Sequence, residues 1–380
     1  MSRKLRLTAL AGALAMGLVA CGGSGAGSSS SAGESAAPED LTIGVSMPTQ
    51  TSERWIADGT SVKEQLEGKG YKVDLQYAGD DIPTQGQQVD QMITEGADLL
   101  IVAAIDGTAL SSQLQAAADA KIPVISYDRL IRGTENVDFY VSFDNYKVGV
   151  AQGTSLLVGL GLLNEDGSKG TATGPFTIEL FAGSLDDNNT QYFFGGAMDT
   201  LKPYIEDGTL VVKSGQTDIE QAATLRWQQE TAQKRMEDLL TAGYNDGTKI
   251  NGVLSPYDGI SRGIITALQN AGYGTATNPM PAVTGQDAEI ASVKLIAGGV
   301  QTATIFKDTR KLAEQAVAAA ETFLKGDEPK ANDTTTYNNG VKVVPSYLLP
   351  FETVYKDNIQ SVLIDSGYWT ADEVAKGQSD

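Results

Sequence analysis

From residue 41 onward, short apolar runs alternate with longer stretches in which apolar residues recur every three or four positions. The run 41–47, LTIGVSM, with Leu41, Ile43, Val45 and Met47, predicts a buried strand. In 53–69, Ile56, Val62 and Leu66 recur on a helical spacing and predict a helix. The same reading gives strands at 72–78, 99–104, 123–128 and 139–144, and helices at 83–95 and 109–120, with Pro83 suited to an early helical position. Apolar strands separated by helices mean a parallel sheet covered on both faces. The rhythm restarts after Asn145. A helix at 146–160 leads into strands at 176–183, 210–215, 252–258, 282–287 and 302–308, with helices at 190–203, 221–242, 260–271 and 288–297. Two series of similar size predict an α/β protein with two doubly wound parallel-sheet lobes rather than one closed barrel.

The first forty residues follow another pattern. Arg3, Lys4 and Arg6 precede an apolar run that ends at Leu18-Val19-Ala20-Cys21. A basic start followed by a short, small-residue-rich apolar run is the pattern of a secretory signal, too short for a stable membrane-spanning helix, and it has no polar face. Its ending is similar to a bacterial lipobox, which implies a signal peptide at 1–20 and lipidation of Cys21, the only Cys in the chain. Residues 22–40 are rich in Gly, Ser and Ala and read, with Cys21, as a flexible tether at 21–40. The expectation is an exported protein, lipid-anchored to the cell membrane and facing the extracytoplasmic side.

Composition narrows the chemistry. The 380 residues contain no His, which excludes a Ser-His-Asp triad, a Cys-His pair and His-ligated zinc. A single Cys excludes an intrachain disulfide. The formal charge of −20 argues against a nucleic-acid partner. The stretches 164–174 and 244–249 are rich in Gly and Asp but lack the ligand spacing of a calcium loop and read as turns, so no metal is expected. No GxxxxGK[ST] loop is present to bind a nucleotide, and no cofactor is expected.

In open parallel sheets, ligands bind beyond the carboxyl ends of the strands. The first strand is followed by Arg54-Trp55, and the fourth by Asp128-Arg129. In the second series the strand ends carry Asp187, Asn188 and Asn189, then Tyr257-Asp258, Gln286-Asp287 and Lys307. Carboxylates, guanidiniums and amides suit vicinal hydroxyls, each of which donates and accepts. Singly, each has a plain structural reading: Asn188 and Asn189 as helix caps, the basic residues as solvated charges. Their common address carries the case. Arg54, Arg129 and Lys307 balance Asp128, Asp187 and Asp287, which favours a neutral ligand over a phosphate. Trp55 and Trp227, one in each series, are placed to sandwich a sugar ring, although a lone Trp would read as packing.

The motifs SERW (52–55), SYDR (126–129), DFYVSFDN (138–145), DNN (187–189), GQDA (285–288), IFK (305–307), LKPYIEDGTL (201–210) and NNGVKVVPSYLLP (338–350) resemble the xylose-binding and multiple-sugar-binding receptors of ABC importers, in the ribose-binding type of periplasmic binding proteins. The resemblance runs from Leu41 to about Ile364. It implies two lobes joined by three crossings, with 41–146 plus 308–340 in the first and 147–307 plus 341–380 in the second. It places ligand contacts on Arg54, Asp128, Arg129, Asp187, Asn189, Asp287 and Lys307, and stacking on Trp55 and Trp227. Where the xylose receptor has Asn, this chain has Tyr257, which leaves pentose against hexose open. The implied function is non-enzymatic: a monomeric lipoprotein that captures a neutral monosaccharide and delivers it to an ABC permease driven by a separate ATPase subunit. A chemosensory receptor that signals without transport and a polyol receptor would use the same site. A carbohydrate hydrolase built on Asp187 and Asp287 is the enzymatic rival.

Overall fold

A computed structural model describes residues 37–379. The leader 1–20, Cys21 and the tether up to residue 36 lie outside the described residues. The first series is β1 (Thr42–Met47), α1 (Glu53–Glu67), β2 (Lys72–Tyr77), α2 (Ile82–Thr94), β3 (Leu99–Val102), α3 (Ser111–Asp119), β4 (Val124–Tyr127) and β5 (Phe139–Phe143). The second is α4 (Asn145–Gly159), β6 (Phe176–Leu180), α5 (Asn189–Glu206), β7 (Leu210–Val212), α6 (Ile219–Ala222), α7 (Gln229–Gly243), β8 (Gly252–Leu254), α8 (Asp258–Asn270), β9 (Ala282–Val283), α9 (Ile290–Ala297) and β10 (Thr304–Phe306). The last part adds α10 (Thr309–Leu324), β11 (Ser346–Leu349), β12 (Glu352–Val354) and α11 (Ala371–Lys376).

One lobe holds a six-stranded parallel sheet in the order β11-β5-β4-β3-β1-β2. Successive β3 side chains alternate between two cores: Leu99 and Ile101 pack with β1, α1 and α10, while Leu100 and Val102 pack with α2 and α3. That two-sided burial is why the strand reads as an unbroken apolar run, each Leu contributing roughly 2 kcal/mol. Gly44 on β1 is required by closeness, since a Cβ there would sit 2.7 Å from Leu100 and 2.9 Å from Met92. The other lobe holds a parallel sheet ordered β7-β6-β8-β9. Beside it, β10 pairs antiparallel with β12.

Several expectations are corrected. The helix expected at 221–242 is interrupted: α6 ends at Ala222 and α7 begins at Gln229, because Arg226 and Trp227 take left-handed backbone at φ 55° and 58°. The second lobe is not wholly parallel, since β12 returns along β10. Helix α10 is absent from the expected pattern, because its buried face is mostly Ala (Ala313, Ala316, Ala319, Ala320), which hydropathy marks weakly. The third crossing falls after Leu349, not at 340, because β11 completes the first sheet beside β5. The other two crossings enter helices, each capped by an Asp. Asp144 accepts from the Lys147 N–H at 3.2 Å and Asp308 from the Arg310 N–H at 3.1 Å. In the Gly/Asp-rich stretches, Asp166 and Asp246 bind the N–H groups of their own turns, Ser168 and Thr248.

Candidate functional site

The strand ends of both lobes face one cavity of about 580 Å³. Arg54, Trp55, Asp128, Arg129, Asp187, Asn189, Trp227, Tyr257, Asp287 and Lys307 all line it. The first lobe supplies Arg54 and Trp55 from the first turn of α1 and Asp128 and Arg129 from the end of β4. The second supplies Asp187 and Asn189 after β6, Trp227 from the break before α7, Tyr257 after β8 and Asp287 after β9. Lys307 sits on the crossing between β10 and α10.

Charge pairing organises this wall. Arg54 holds Asp128 with two bonds, Nη2 to Oδ1 at 2.6 Å and Nη1 to Oδ2 at 3.2 Å, while its Nε donates to Asp58 at 2.9 Å. Three of its five N–H groups are thereby used. Burial works against the Arg54 charge, and Asp128, Asp58 and Asp287 more than offset it, so its pKa is raised. Lys307, 1 % exposed, lies 3.1 Å from Asp287 and 3.9 Å from Asp128. Phe143 and Phe193 flank its ammonium. Burial pushes the Asp128 carboxyl up, yet Arg54 and Lys307 bring it down to about 2. Burial raises Asp187, which Arg129 opposes from 3.1 Å. Burial likewise raises Asp58, to about 6, against Arg54 and a 2.5 Å bond from the Tyr127 hydroxyl. Asp58 was not among the candidates, since it stands behind the wall rather than in it. Its place one helical turn after Arg54 is the signal that could have found it.

The aromatics frame the other side. Trp55 is flanked by the guanidiniums of Arg54 and Arg129, 4.9 and 5.0 Å from its ring centre. Trp227 meets Tyr257 and Phe193 edge-on, with ring centres 6.2 and 6.3 Å away. Gly183 allows this position, because a side chain there would overlap the Trp227 ring. The third Trp, Trp369 near the C terminus, donates its Nε1–H to the Ala288 carbonyl at 2.8 Å and so pins the loop that carries Asp287.

Backbone strain concentrates at the same place. Asp80, Asp128, Arg226, Trp227 and Asp287 all line the cavity with positive φ, and none is Gly. Residues held this way cost free energy and persist where neighbours over-determine them. At Asp128 the neighbours are visible: its carbonyl accepts from the Tyr140 hydroxyl at 2.6 Å, the Ser142 hydroxyl at 2.9 Å and the Asn189 amide at 2.9 Å. Asn145 in turn donates to the Asn189 Oδ1 at 2.9 Å. Asn189 is thus a linker between lobes as well as a wall residue.

The cavity also takes in residues that were not candidates. Arg226, Arg262, Asp80 and Glu230 line it, with Phe193, and Gln286 lines it beside Asp287 as its strand-end place implies. Arg226 stands next to Trp227 in sequence, whereas nothing in the pattern marks Asp80. With them the wall carries Arg54, Arg129, Arg226, Arg262 and Lys307 against Asp80, Asp128, Asp187, Asp287 and Glu230, still balanced. The lobes meet across the cleft. Arg226 reaches the Asp80 carbonyl at 2.5 Å and lies 3.1 Å from Asp186, while the Gly107 N–H donates to the Asp186 carbonyl at 3.0 Å. Ser52 donates to Glu289 at 2.9 Å. The conformation is closed.

Two α/β lobes closed over a charge-balanced, Trp-lined cleft match one family model, the periplasmic binding protein domain, over residues 43–328. The chain belongs to the periplasmic binding protein family. Among relatives in that family, the multiple sugar-binding periplasmic receptor ChvE of Rhizobium radiobacter is 54 % identical over 333 residues, covering 88 % of this chain and 92 % of the relative. The D-xylose-binding periplasmic protein of Escherichia coli is 35 % identical, over 88 % of this chain and 93 % of its own. A solved ABC transporter solute-binding protein from Clostridium phytofermentans, with bound β-D-glucose, superposes with a TM-score of 0.82 at 44 % identity, covering 88 % of this chain and 99 % of that one.

Proposed function

We propose that this periplasmic binding protein captures one neutral monosaccharide, a pentose or hexose of the xylose and glucose kind, and delivers it to an ABC permease served by a separate ATPase. The observation that carries the reading is the cavity wall: paired charges that sum to neutrality, arrayed with two Trp at strand ends of both lobes. Each paired Asp keeps lone pairs for sugar hydroxyls, and Arg54 keeps two free N–H groups. The Trp faces suit the apolar C–H face of a pyranose. The carbon skeleton needs no bond made or broken, and the reading is of a binding protein, not an enzyme. A sugar touching both lobes favours the closed state by differential binding, and the permease then distinguishes loaded from empty by shape. The names of the relatives, a multiple sugar receptor and a xylose receptor, support the ligand class.

The reading includes a lipid anchor on Cys21, which keeps the receptor at the cell membrane beside its permease. Membrane fractionation tests it: Cys21→Ser should release the protein to the soluble fraction. The ligand is tested by Trp fluorescence of the purified protein titrated with xylose, glucose, galactose, arabinose and ribose. A saturable change with one or more supports the reading. No response from any of the five, in protein shown to be folded, refutes it.

A further inference from the structure

Behind the cavity wall, Glu289 gathers three residues that do line it. It is 2 % exposed and stands at the N-terminal end of α9. Its Oε1 accepts from the Tyr257 hydroxyl at 2.6 Å and the Ser52 hydroxyl at 2.9 Å, and its Oε2 accepts from Arg262 Nη2 at 2.6 Å. Tyr257 and Arg262 belong to its own lobe, and Ser52 belongs to the other.

Two consequences follow from the chemistry of these donors. The phenolic hydrogen of Tyr257 is committed to Glu289, so toward the cavity Tyr257 offers a ring and no donor. The ring is held edge-on to Trp227, and Glu289 fixes how far it projects. Ser52, for its part, occupies the N-cap of α1 yet makes no side-chain bond to that helix. Its hydroxyl crosses the cleft instead. That bond exists only while the lobes are closed. The next residue repeats the crossing, as Glu53 Oε2 accepts the Ile290 N–H at 3.1 Å.

We infer that Glu289 is a positioning residue for sugar selectivity: it holds the Tyr257 ring at the depth that sets ligand size and ties that depth to closure through Ser52. The inference rests on the sugar-binding reading above. It acts through Tyr257, since Glu289 itself does not reach the cavity. A ligand that displaces the ring also loosens the carboxylate that Ser52 must meet, and so weakens the closed state. Size is thereby read twice, once by contact and once by closure.

The test compares D-glucose and D-xylose, measured by calorimetry and by stopped-flow release, on wild type, Glu289→Gln, Tyr257→Phe, their double variant and Ser52→Ala. Tyr257→Phe releases the ring, and Glu289→Gln turns its bond to a charged group into a neutral one, so the glucose-to-xylose affinity ratio should move toward glucose in both, by about tenfold in Tyr257→Phe and by less in Glu289→Gln. The double variant should move it no further than Tyr257→Phe alone, because both changes act on one tether. Ser52→Ala should raise the release rate of both sugars by about tenfold and move the ratio part of the way toward glucose, because closure then no longer reads size; an unchanged ratio in Ser52→Ala would overturn the link to closure. Equal loss of affinity for both sugars in Glu289→Gln would overturn the inference and leave Glu289 as the anchor of Arg262 alone. So would additive effects in the double variant, or an unchanged ratio in Tyr257→Phe, which carries the test if Glu289→Gln does not fold. Binding of neither sugar by wild type would overturn the underlying reading as well.

Discussion

Asp58 lies one layer behind the sugar cleft, fully buried, with its carboxyl pushed by burial from 3.8 up to about 6. Replacing it as Asp58→Asn removes the titration at constant size. Arg54 Nε and Tyr127 Oη both donate to the carboxylate, and an amide has only one acceptor. The amide oxygen stays with Arg54, which has donors alone, and the Tyr127 hydroxyl turns to accept from the amide. Between the two pKa values the folded wild type binds a proton that the unfolded chain does not. Stability therefore falls as pH rises through that window. A displacement of about 2 units corresponds to about 3 kcal/mol. Urea unfolding of wild type and variant, in parallel from about pH 4 to about pH 7, reads this directly, because other titrating groups cancel in the difference. The wild-type stability relative to the variant should drop by about 3 kcal/mol across that range. Asp128 works in the opposite sense: its carboxyl, brought down to about 2, contributes stability that is lost as pH falls from 3.8 toward that value. A flat difference, or one that rises with pH, would refute the account of Asp58 and mean that Arg54 holds it ionised despite burial.

Three further outcomes are expected. Arg54→Met strands Asp58, Asp128 and Asp287 without their guanidinium and should cost about 3–5 kcal/mol in urea unfolding. Trp227→Ala should weaken sugar binding by about tenfold or more in calorimetry while the Trp369 contact keeps the Asp287 loop in place. Arg226→Ala removes the bridge to the Asp80 carbonyl and Asp186, and should speed release of sugar by about tenfold with little effect on association, measured by stopped flow.

Much of the fold is legible because β3, β4 and β5 are buried on both faces, which writes them into the chain as largely apolar runs. Strand-end logic then brings Arg54, Asp128, Asp187, Asp287 and Lys307 to one cavity, since a parallel sheet sends every strand's carboxyl end the same way. What is not legible depends on tertiary overrides. The stretch Leu225-Arg226-Trp227 contains no Gly or Pro, yet its backbone turns left-handed; Arg226 reaches across to Asp80 and Trp227 lies against Gly183. Strand β11 pairs with β5 some two hundred residues earlier, a partnership no local pattern records. Asp58 and Glu289 stand behind residues that line the cavity, Arg54 for the one and Tyr257, Arg262 and Ser52 for the other; only Asp58 carries a spacing signal, one helical turn after Arg54.

Arg54, Asp58 and Asp128 are all on the first lobe, and Tyr257, Arg262 and Glu289 are all on the second. Each half of the cleft therefore keeps most of its charges neutralised by its own neighbours. When the halves part, Arg129 loses Asp187, Arg54 loses Asp287 and Ser52 loses Glu289, while Asp128 keeps Arg54 and Glu289 keeps Arg262. A receptor that relied on cross-cleft ion pairs would resist unclasping and keep its cargo. This one gives up two such pairs and keeps the others within each lobe, and a carrier must unload as readily as it loads if it is to cycle.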